Sequence, residues 1–336
     1  MDEKKLRRLR EKYGRSGARI HDERFRRVAD SVSPRPGDRP KPYAGRPTLL
    51  DAPIAESLDG LDVALVGVPM DLGSSNRSGA RFGPRALRAL ERVGPYNHHL
   101  DVSPLAALTC ADVGDVPLRS RFDLEQSLAD VEDYFRDLVA AGVKPLSVGG
   151  DHSITYPILR ALGDGRPVGL VHIDAHCDTG GPLEGSRLYH GGPFREALLA
   201  GVLDPDRTIQ IGIRGPAEFL WELSYESGMT VVHAEELQER GVTDVVETAL
   251  RVVGTGPTYV SFDIDAIDPA LAPGTGTPEV GGLLPREAQA ILRGLRGVDV
   301  VGGDVVEVAP QYDANDSTVR IAAQMLFEIL SLMASP

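Results

Sequence analysis

The sequence predicts an α/β fold: a mostly parallel sheet of about eight strands with helices on both faces. Three observations carry this. From residue 61 onward, short β-rich apolar runs alternate with longer segments of helical spacing. Such alternation joins parallel strands through helical crossovers. The runs are apolar nearly throughout, as strands covered on both faces are. Finally, no composition break or internal repeat divides residues 47–336, so they read as a single domain.

The elements follow in order. Residues 63–68 form the first apolar run. Residues 122–141 carry Leu124, Leu128, Val131, Phe135 and Leu138, an i, i+3/i+4 pattern that predicts a helix. Strand 145–148, helix 154–162 and strand 168–173 come next. Helix 194–203, strand 208–213, helix 217–223 and strand 230–233 continue the alternation. Helix 242–253, strand 258–264, helix 286–295, strand 298–308 and helix 318–332 complete it.

Charge is uneven along the chain. The 336 residues carry a formal charge of −13. Residues 1–46 contribute +8 and the remainder −21. Residues 34–47 include five prolines and read as extended chain, so residues 1–46 form a basic, proline-rich N-terminal arm. Residues 3–13 are a short basic helix candidate that wraps a neighbouring subunit or stays solvated. The acidic body excludes a general nucleic-acid binder. No run nears the ~18 apolar residues of a membrane helix, and the first 30 residues lack a signal-peptide core. Only Cys110 and Cys177 are present, which excludes a disulfide scaffold and fits a cytoplasmic setting.

Predicted strands end in acidic and imidazole groups. Strand 145–148 runs into Gly149-Gly150-Asp151-His152-Ser153. Strand 168–173 runs into Asp174-Ala175-His176-Cys177-Asp178. Strand 258–264 carries Asp263-Ile264-Asp265 and continues to Asp268-Pro269. The last strand carries Asp304-Val305-Val306-Glu307. In extended chain, residues i, i+2 and i+4 share a side. Asp174, His176 and Asp178 therefore face one way, as do Asp263 and Asp265. Carboxylates converging at buried strand ends repel unless cations neutralise them. Oxygen-rich ligands with imidazole and no thiolate favour Mn²⁺ over Zn²⁺. Two ions sharing a carboxylate can generate hydroxide at neutral pH. Taken singly, these groups have plainer readings: an Asp-x-Asp turn or cap, a hydrogen-bonded loop histidine, a turn at Asp268, and inert packing for Cys177.

Together the three motifs resemble the ureohydrolases, the arginase and agmatinase family, over residues 60–332. The stretch from Gly67-Val68-Pro69-Met70-Asp71 to Arg81-Phe82-Gly83-Pro84 is similar to the family's first strand and loop. Residues 273–279 and 304–308 resemble the agmatinase branch. The resemblance implies a three-layer α/β/α domain, trimeric or hexameric assembly, and two divalent ions per chain, Mn²⁺ or in some relatives Ni²⁺. One ion takes His152, Asp174, Asp178 and Asp263; the other takes Asp174, His176, Asp263 and Asp265. It also implies attack of a metal-bridging hydroxide on a guanidinium carbon, releasing urea. Asp178 then carries the proton to the leaving amine, Glu307 holds the guanidinium, and His190 shuttles protons at the mouth. His98, His99, His172 and His233 read as structural, although His172 shares a side with Asp174.

The substrate's tail is read by loops 70–81, 97–101, 179–190 and 213–218. Glu184 and Glu218 suit a cationic tail such as agmatine's; Arg77, Arg187 or Arg214 suit an anionic one. Loop 179–187 lacks the asparagine-rich texture of arginases. The sequence favours a small guanidino compound, such as guanidine, an alkylguanidine or a guanidino acid. The alternatives are agmatinase, a mono-zinc deacetylase of the same fold, and a non-catalytic partner subunit in a hetero-oligomer. Serine-hydrolase and dinucleotide-binding readings lack their glycine motifs.

Overall fold

The computed structural model describes residues 2–14, 19–32, 45–90 and 94–335. They belong to two compact units, Met1–Lys41 and Pro42–Pro336. In the first, α1 (Glu3–Tyr13) and α2 (Glu23–Val32) bury none of their residues. The Asp2 carboxylate accepts from the Lys4 amide, and Asp22 accepts from the Arg24 amide at 3.0 Å. These bonds satisfy amides that a helix start leaves bare. Helix α2 is absent from the sequence expectations, since arginines interrupt its apolar positions. Residues 33–44, most of the proline-rich stretch, lie outside the described residues.

The second unit is built on eight strands: β1 (Val63–Gly67), β2 (Cys110–Asp115), β3 (Lys144–Val148), β4 (Val168–Ile173), β5 (Leu203–Ile213), β6 (Thr230–His233), β7 (Thr258–Asp263) and β8 (Val300–Val306). Their order is β2-β1-β3-β8-β7-β4-β5-β6, and every pairing is parallel. Between them lie α3 (Gly83–Ala89), α4 (Pro104–Ala107), α5 (Leu124–Ala140), α6 (Thr155–Leu162), α7 (Pro193–Leu199), α8 (Glu222–Glu226), α9 (Ala234–Val253) and α10 (Pro285–Gly294). Helix α11 (Ser317–Met333) ends the chain's regular structure. No described helix is long and apolar enough to cross a membrane.

Strand alternation divides the core. Val63 and Leu65 of β1 join one apolar cluster with Val245 of α9, Ile291 of α10 and Ile329 of α11. Ala64 and Val66 join the other with Val131 of α5, Ile158 of α6 and Phe194 of α7. Period-2 side chains thus feed helical layers on both faces. Phe135 is fully buried in the second layer, where truncation to alanine costs ~3–5 kcal/mol.

The boundaries depart from expectation in four places. Strand β2 is missing from the predicted set because Asp112, Gly114 and Asp115 break its apolar run; it lies at the sheet edge. Helix α7 stops at Leu199, and Gly201 turns the chain at φ 72° into a longer β5. Helix α9 starts eight residues early, and its backbone breaks at Gly241, φ 80°, just before the predicted start. Expected helix 217–223 becomes a 3-10 turn, Glu218–Leu220, followed by α8.

Candidate metal centre

The predicted motifs all lie at the carboxyl ends of β3, β8, β7 and β4, four consecutive strands in the middle of the sheet. Here the chain order reverses between neighbours, the location where α/β sheets open a crevice. After β3, Gly149 donates to the Val305 carbonyl at 2.8 Å and Gly150 to the Val68 carbonyl at 2.9 Å. A side chain at Gly150 would lie 1.6 Å from the Met70 carbonyl, so only glycine fits this crossing. The chain then turns at Asp151 into a 3-10 turn, His152–Ile154, with Asp151 capping Ser153. That turn directs His152 inward.

His152 Nδ1 lies 3.2 Å from Asp174 Oδ2, 2.9 Å from Asp178 Oδ2 and 3.3 Å from Asp263 Oδ2. His176 Nδ1 lies 3.5 Å from Asp174 Oδ1 and 3.1 Å from Asp265 Oδ2. All six expected ligand residues therefore meet, with Asp174 facing both imidazoles. The means differ from simple extended alternation. Beta structure ends at Ile173, and Asp178 reaches the cluster from a left-handed backbone, φ 51°. Glu307 also has a left-handed backbone, φ 61°. Non-glycine residues held there store on the order of 1–3 kcal/mol of strain, typically at sites of function.

The electrostatics are those of a cation site. Burial raises the Asp263 pKa well above the ordinary carboxylate value, and Asp265 and Asp174 push it further. Burial and then Asp174 raise Asp265 as well. Burial also opposes ionisation of Asp174, but His172 and His152 hold its pKa well below the usual range. His152 Nδ1 is fully buried and makes no hydrogen bond among the described residues, despite three carboxylate oxygens nearby. A bare imidazole nitrogen ringed by carboxylates fits a divalent ion. His152, Asp174, Asp178, Asp263, His176 and Asp265 are the residues able to hold one or two such ions.

Glu307 lies beside this cluster. Its Oε1 accepts from the His152 backbone amide at 2.9 Å and contacts His190 Nδ1 at 2.8 Å. His190 Nε2 contacts Ser75 Oγ at 2.6 Å and accepts from the Ser75 amide at 3.2 Å. Burial would lower the His190 pKa, but the Glu307 carboxylate overrides this and raises it to about 9. A neutral His190 accepts from Ser75, while a charged one donates to Ser75 Oγ. The exposed Ser75 hydroxyl can serve both states. Ser75 has no sequence motif pointing to it; contact across 115 residues reveals it. Burial and then Glu307 raise the Asp151 carboxyl to about 6.

Expected tail contacts fare differently. Arg77 Nη2 donates to the Thr275 carbonyl at 2.8 Å, and its guanidinium stacks 4.5 Å from the Tyr312 ring. Gly276 lies between Arg77 and Glu307: its missing Cβ would sit 2.8 Å from the Arg77 carbonyl and 3.7 Å from Glu307 Oε2. Arg187 is half exposed and pairs with Glu196 rather than joining the cluster. Arg214 is buried and spends its guanidinium on the carbonyls of Gly212, Asp265, Ala266, Glu279 and Val280. Glu184 and Glu218 are exposed. Glu279, the last residue of the 273–279 stretch and without an assigned role there, brings Oε1 to 3.9 Å from His176 Nε2. His233 packs with Trp221 and Tyr225 away from the cluster, but His172 Nε2 bonds Asp174 Oδ2 at 2.7 Å. Cys177 is buried and its thiol is pushed up to about 12, chiefly by desolvation.

The chain is also similar to known proteins. The Arginase family model matches residues 61–331. The chain is 49% identical over 296 residues to a guanidinopropionase of Pseudomonas aeruginosa, covering 87% of this chain and 93% of the relative. It is 46% identical to a mitochondrial agmatinase of Gallus gallus, covering 85% of each. The solved proclavaminate amidino hydrolase of Streptomyces clavuligerus superposes with a TM-score of 0.83 at 39% identity, covering 88% of this chain and 99% of that one.

Proposed function

Because the chain belongs to the arginase family, we propose that residues 47–336 hydrolyse a small guanidino acid to urea and an amine at a two-ion centre. The coarser activity is that of a metal-dependent hydrolase of guanidino C–N bonds. One observation carries the finer reading: two histidine Nδ1 atoms and three further aspartates converge around Asp174, with His152 Nδ1 left bare. His152, Asp174, Asp178 and Asp263 are suited to one ion, and Asp174, His176, Asp263 and Asp265 to the other. Oxygen-rich donors without thiolate favour Mn²⁺, with Ni²⁺ as the second choice. When bound, the ions supply Lewis-acid activation of water at neutral pH.

The chain's own groups do the rest. Glu307 Oε1 is occupied by His152 N–H and His190, which turns Oε2 toward the Gly276 slot as acceptor for a guanidinium. Asp178 holds the nucleophile's proton and passes it to the leaving nitrogen. His190 exchanges protons with solvent through Ser75. Near the Gly276 slot, Arg77 Nη1 makes no hydrogen bond among the described residues. That free donor supports a substrate with an anionic tail, since Arg187 and Arg214 are committed elsewhere. Agmatine is the second reading, supported by the 46% identical agmatinase and by Glu279 near His176.

Urea release should be measured across guanidine, methylguanidine, guanidinopropionate, guanidinobutyrate, agmatine and arginine, with Mn²⁺ and Ni²⁺ compared. A guanidino acid is expected to give the highest kcat/KM; preference for agmatine would overturn the tail assignment. A single tightly bound zinc ion without urea release would instead favour the deacetylase chemistry.

A further inference from the structure

One pleat below the ligands, four fully buried polar side chains form a row across the sheet. Asp304 of β8 is in register with Ser261 of β7, Ser261 with His172 of β4, and His172 with Gln210 of β5. Asp263 stands two residues beyond Ser261 in β7 and so on the same side; Asp174 lies just past the end of β4, where His172 bonds it directly. Hydrogen bonds connect its members and fix where their protons lie.

Asp304 accepts three hydroxyl bonds: Thr155 Oγ1 at 2.7 Å and Tyr259 OH at 2.9 Å on Oδ2, and Ser261 Oγ at 2.7 Å on Oδ1. Ser261 has one proton, and it goes to Asp304 Oδ1. Having donated to Asp304, Ser261 can only accept in its 2.8 Å contact with His152 Nε2. The imidazole hydrogen therefore sits on Nε2, and the lone pair on Nδ1. That is the nitrogen that makes no hydrogen bond among the described residues and faces Asp174, Asp178 and Asp263. His172 follows the same logic. Gln210 Nε2 donates to the Cys177 carbonyl at 2.6 Å, which fixes the amide's orientation, and it lies 3.0 Å from His172 Nδ1. His172 thus donates from Nε2 to Asp174.

We propose that Asp304, acting through the Ser261 hydroxyl, is a positioning residue that locks His152 in its Nε2–H tautomer and so readies Nδ1 as a metal ligand. This rests on the reading of the cluster as a metal centre. The interposed hydroxyl has a physical rationale. A carboxylate placed directly on His152 would add negative charge beside three aspartates, whereas Ser261 passes on the acceptor and keeps the charge farther away.

Asp304→Asn gives a sharp test because it is isosteric. Thr155 and Tyr259 both donate to the Oδ2 position, so the new amide places its oxygen there and its NH₂ toward Ser261. Ser261 then donates to His152 Nε2, and the imidazole proton moves to Nδ1, where it blocks an ion. Mn²⁺ stoichiometry and affinity of the full chain should be measured by chelator competition for wild type, Asp304→Asn, Ser261→Ala and Ser261→Thr, with metal-free circular dichroism to verify folding. Wild type is expected to bind two ions. Asp304→Asn and Ser261→Ala should each weaken one of the two steps about 10–100-fold, while Ser261→Thr, which keeps the hydroxyl, stays near wild type. Two ions bound with wild-type affinity by folded Asp304→Asn or Ser261→Ala would overturn the relay and leave the metal centre standing. A wild type that binds no ion would sink the metal centre itself.

Discussion

His152 and His176 meet on one carboxylate: Asp174 sets Oδ2 3.2 Å from the first imidazole and Oδ1 3.5 Å from the second. Asp178 approaches only His152, and Asp265 only His176. The centre is therefore unequal in its parts. Asp174→Ala should strip both ions, whereas Asp178→Ala should weaken one. Metal analysis after gel filtration checks this; two retained ions in Asp174→Ala would refute a shared carboxylate.

The contact between His190 and Glu307 links stability to pH in the metal-stripped protein. Burial alone would lower the His190 pKa, but Glu307 raises it to about 9, against ~6.5 unfolded. Folding thus favours the charged imidazole. Its contribution is complete below pH ~6.5 and disappears as pH rises through about 9. The melting difference between wild type and His190→Gln should shrink across that window, measured in chelator. A difference that is flat from pH 6 to 10 would contradict the ionic contact.

The residues of the cluster were legible in the sequence because strand ends expose them as acid-rich breaks in apolar runs. Asp174, His176, Asp263 and Asp265 stand at the ends of runs that are apolar for structural reasons. The supporting row was less legible. Ser261 and Asp304 are visible as polar interruptions in β7 and β8, but their pairing is a matter of sheet order. Nothing local says that β8 inserts between β3 and β7. Ser75 and Glu279 lie in stretches the sequence marks, but their contacts with His190 and His176 were illegible, since each meets its histidine through a loop that carries no periodicity. Arg214 was illegible in another way: a guanidinium's sequence position does not say that five carbonyls surround it.

Gly276 leaves open the space between the Arg77 carbonyl and Glu307. Gly276→Ala would press its methyl against that carbonyl at 2.8 Å and narrow the approach to Glu307 Oε2. A rise in KM of about tenfold or more is expected, equivalent to ~1.4 kcal/mol of lost binding. An unchanged KM for the preferred guanidino compound would remove this slot from the binding site.

Arg77 separates the two tail classes. Its guanidinium braces Thr275, so Arg77→Gln should slow every substrate somewhat. A carboxylate tail loses an additional charge-assisted bond, about 1.5–3 kcal/mol, or roughly 10–100-fold in kcat/KM. Guanidinopropionate and guanidinobutyrate should therefore fall further than agmatine. Equal losses across the three would assign Arg77 a bracing role alone.

Glu328 of α11 tests stability away from the chemistry. Its fully buried carboxylate accepts from Asn97 at 2.7 Å, Gln324 at 2.9 Å, Gln289 at 3.1 Å and both Nε and Nη2 of Arg293. The bonds tie α10 and α11 to the loop after residue 94. Removing the cation leaves a buried charge without compensation, so Arg293→Met should cost ~3–5 kcal/mol. Removing both charges leaves no such orphan. The double variant Arg293→Met/Glu328→Leu should accordingly be more stable than Arg293→Met alone, although two ionic partners are gone. Urea unfolding of the four proteins in the cycle measures this. A double variant weaker than the single one would mean that the amides of Asn97, Gln289 and Gln324, left facing leucine, dominate the cost instead of the unpaired carboxylate.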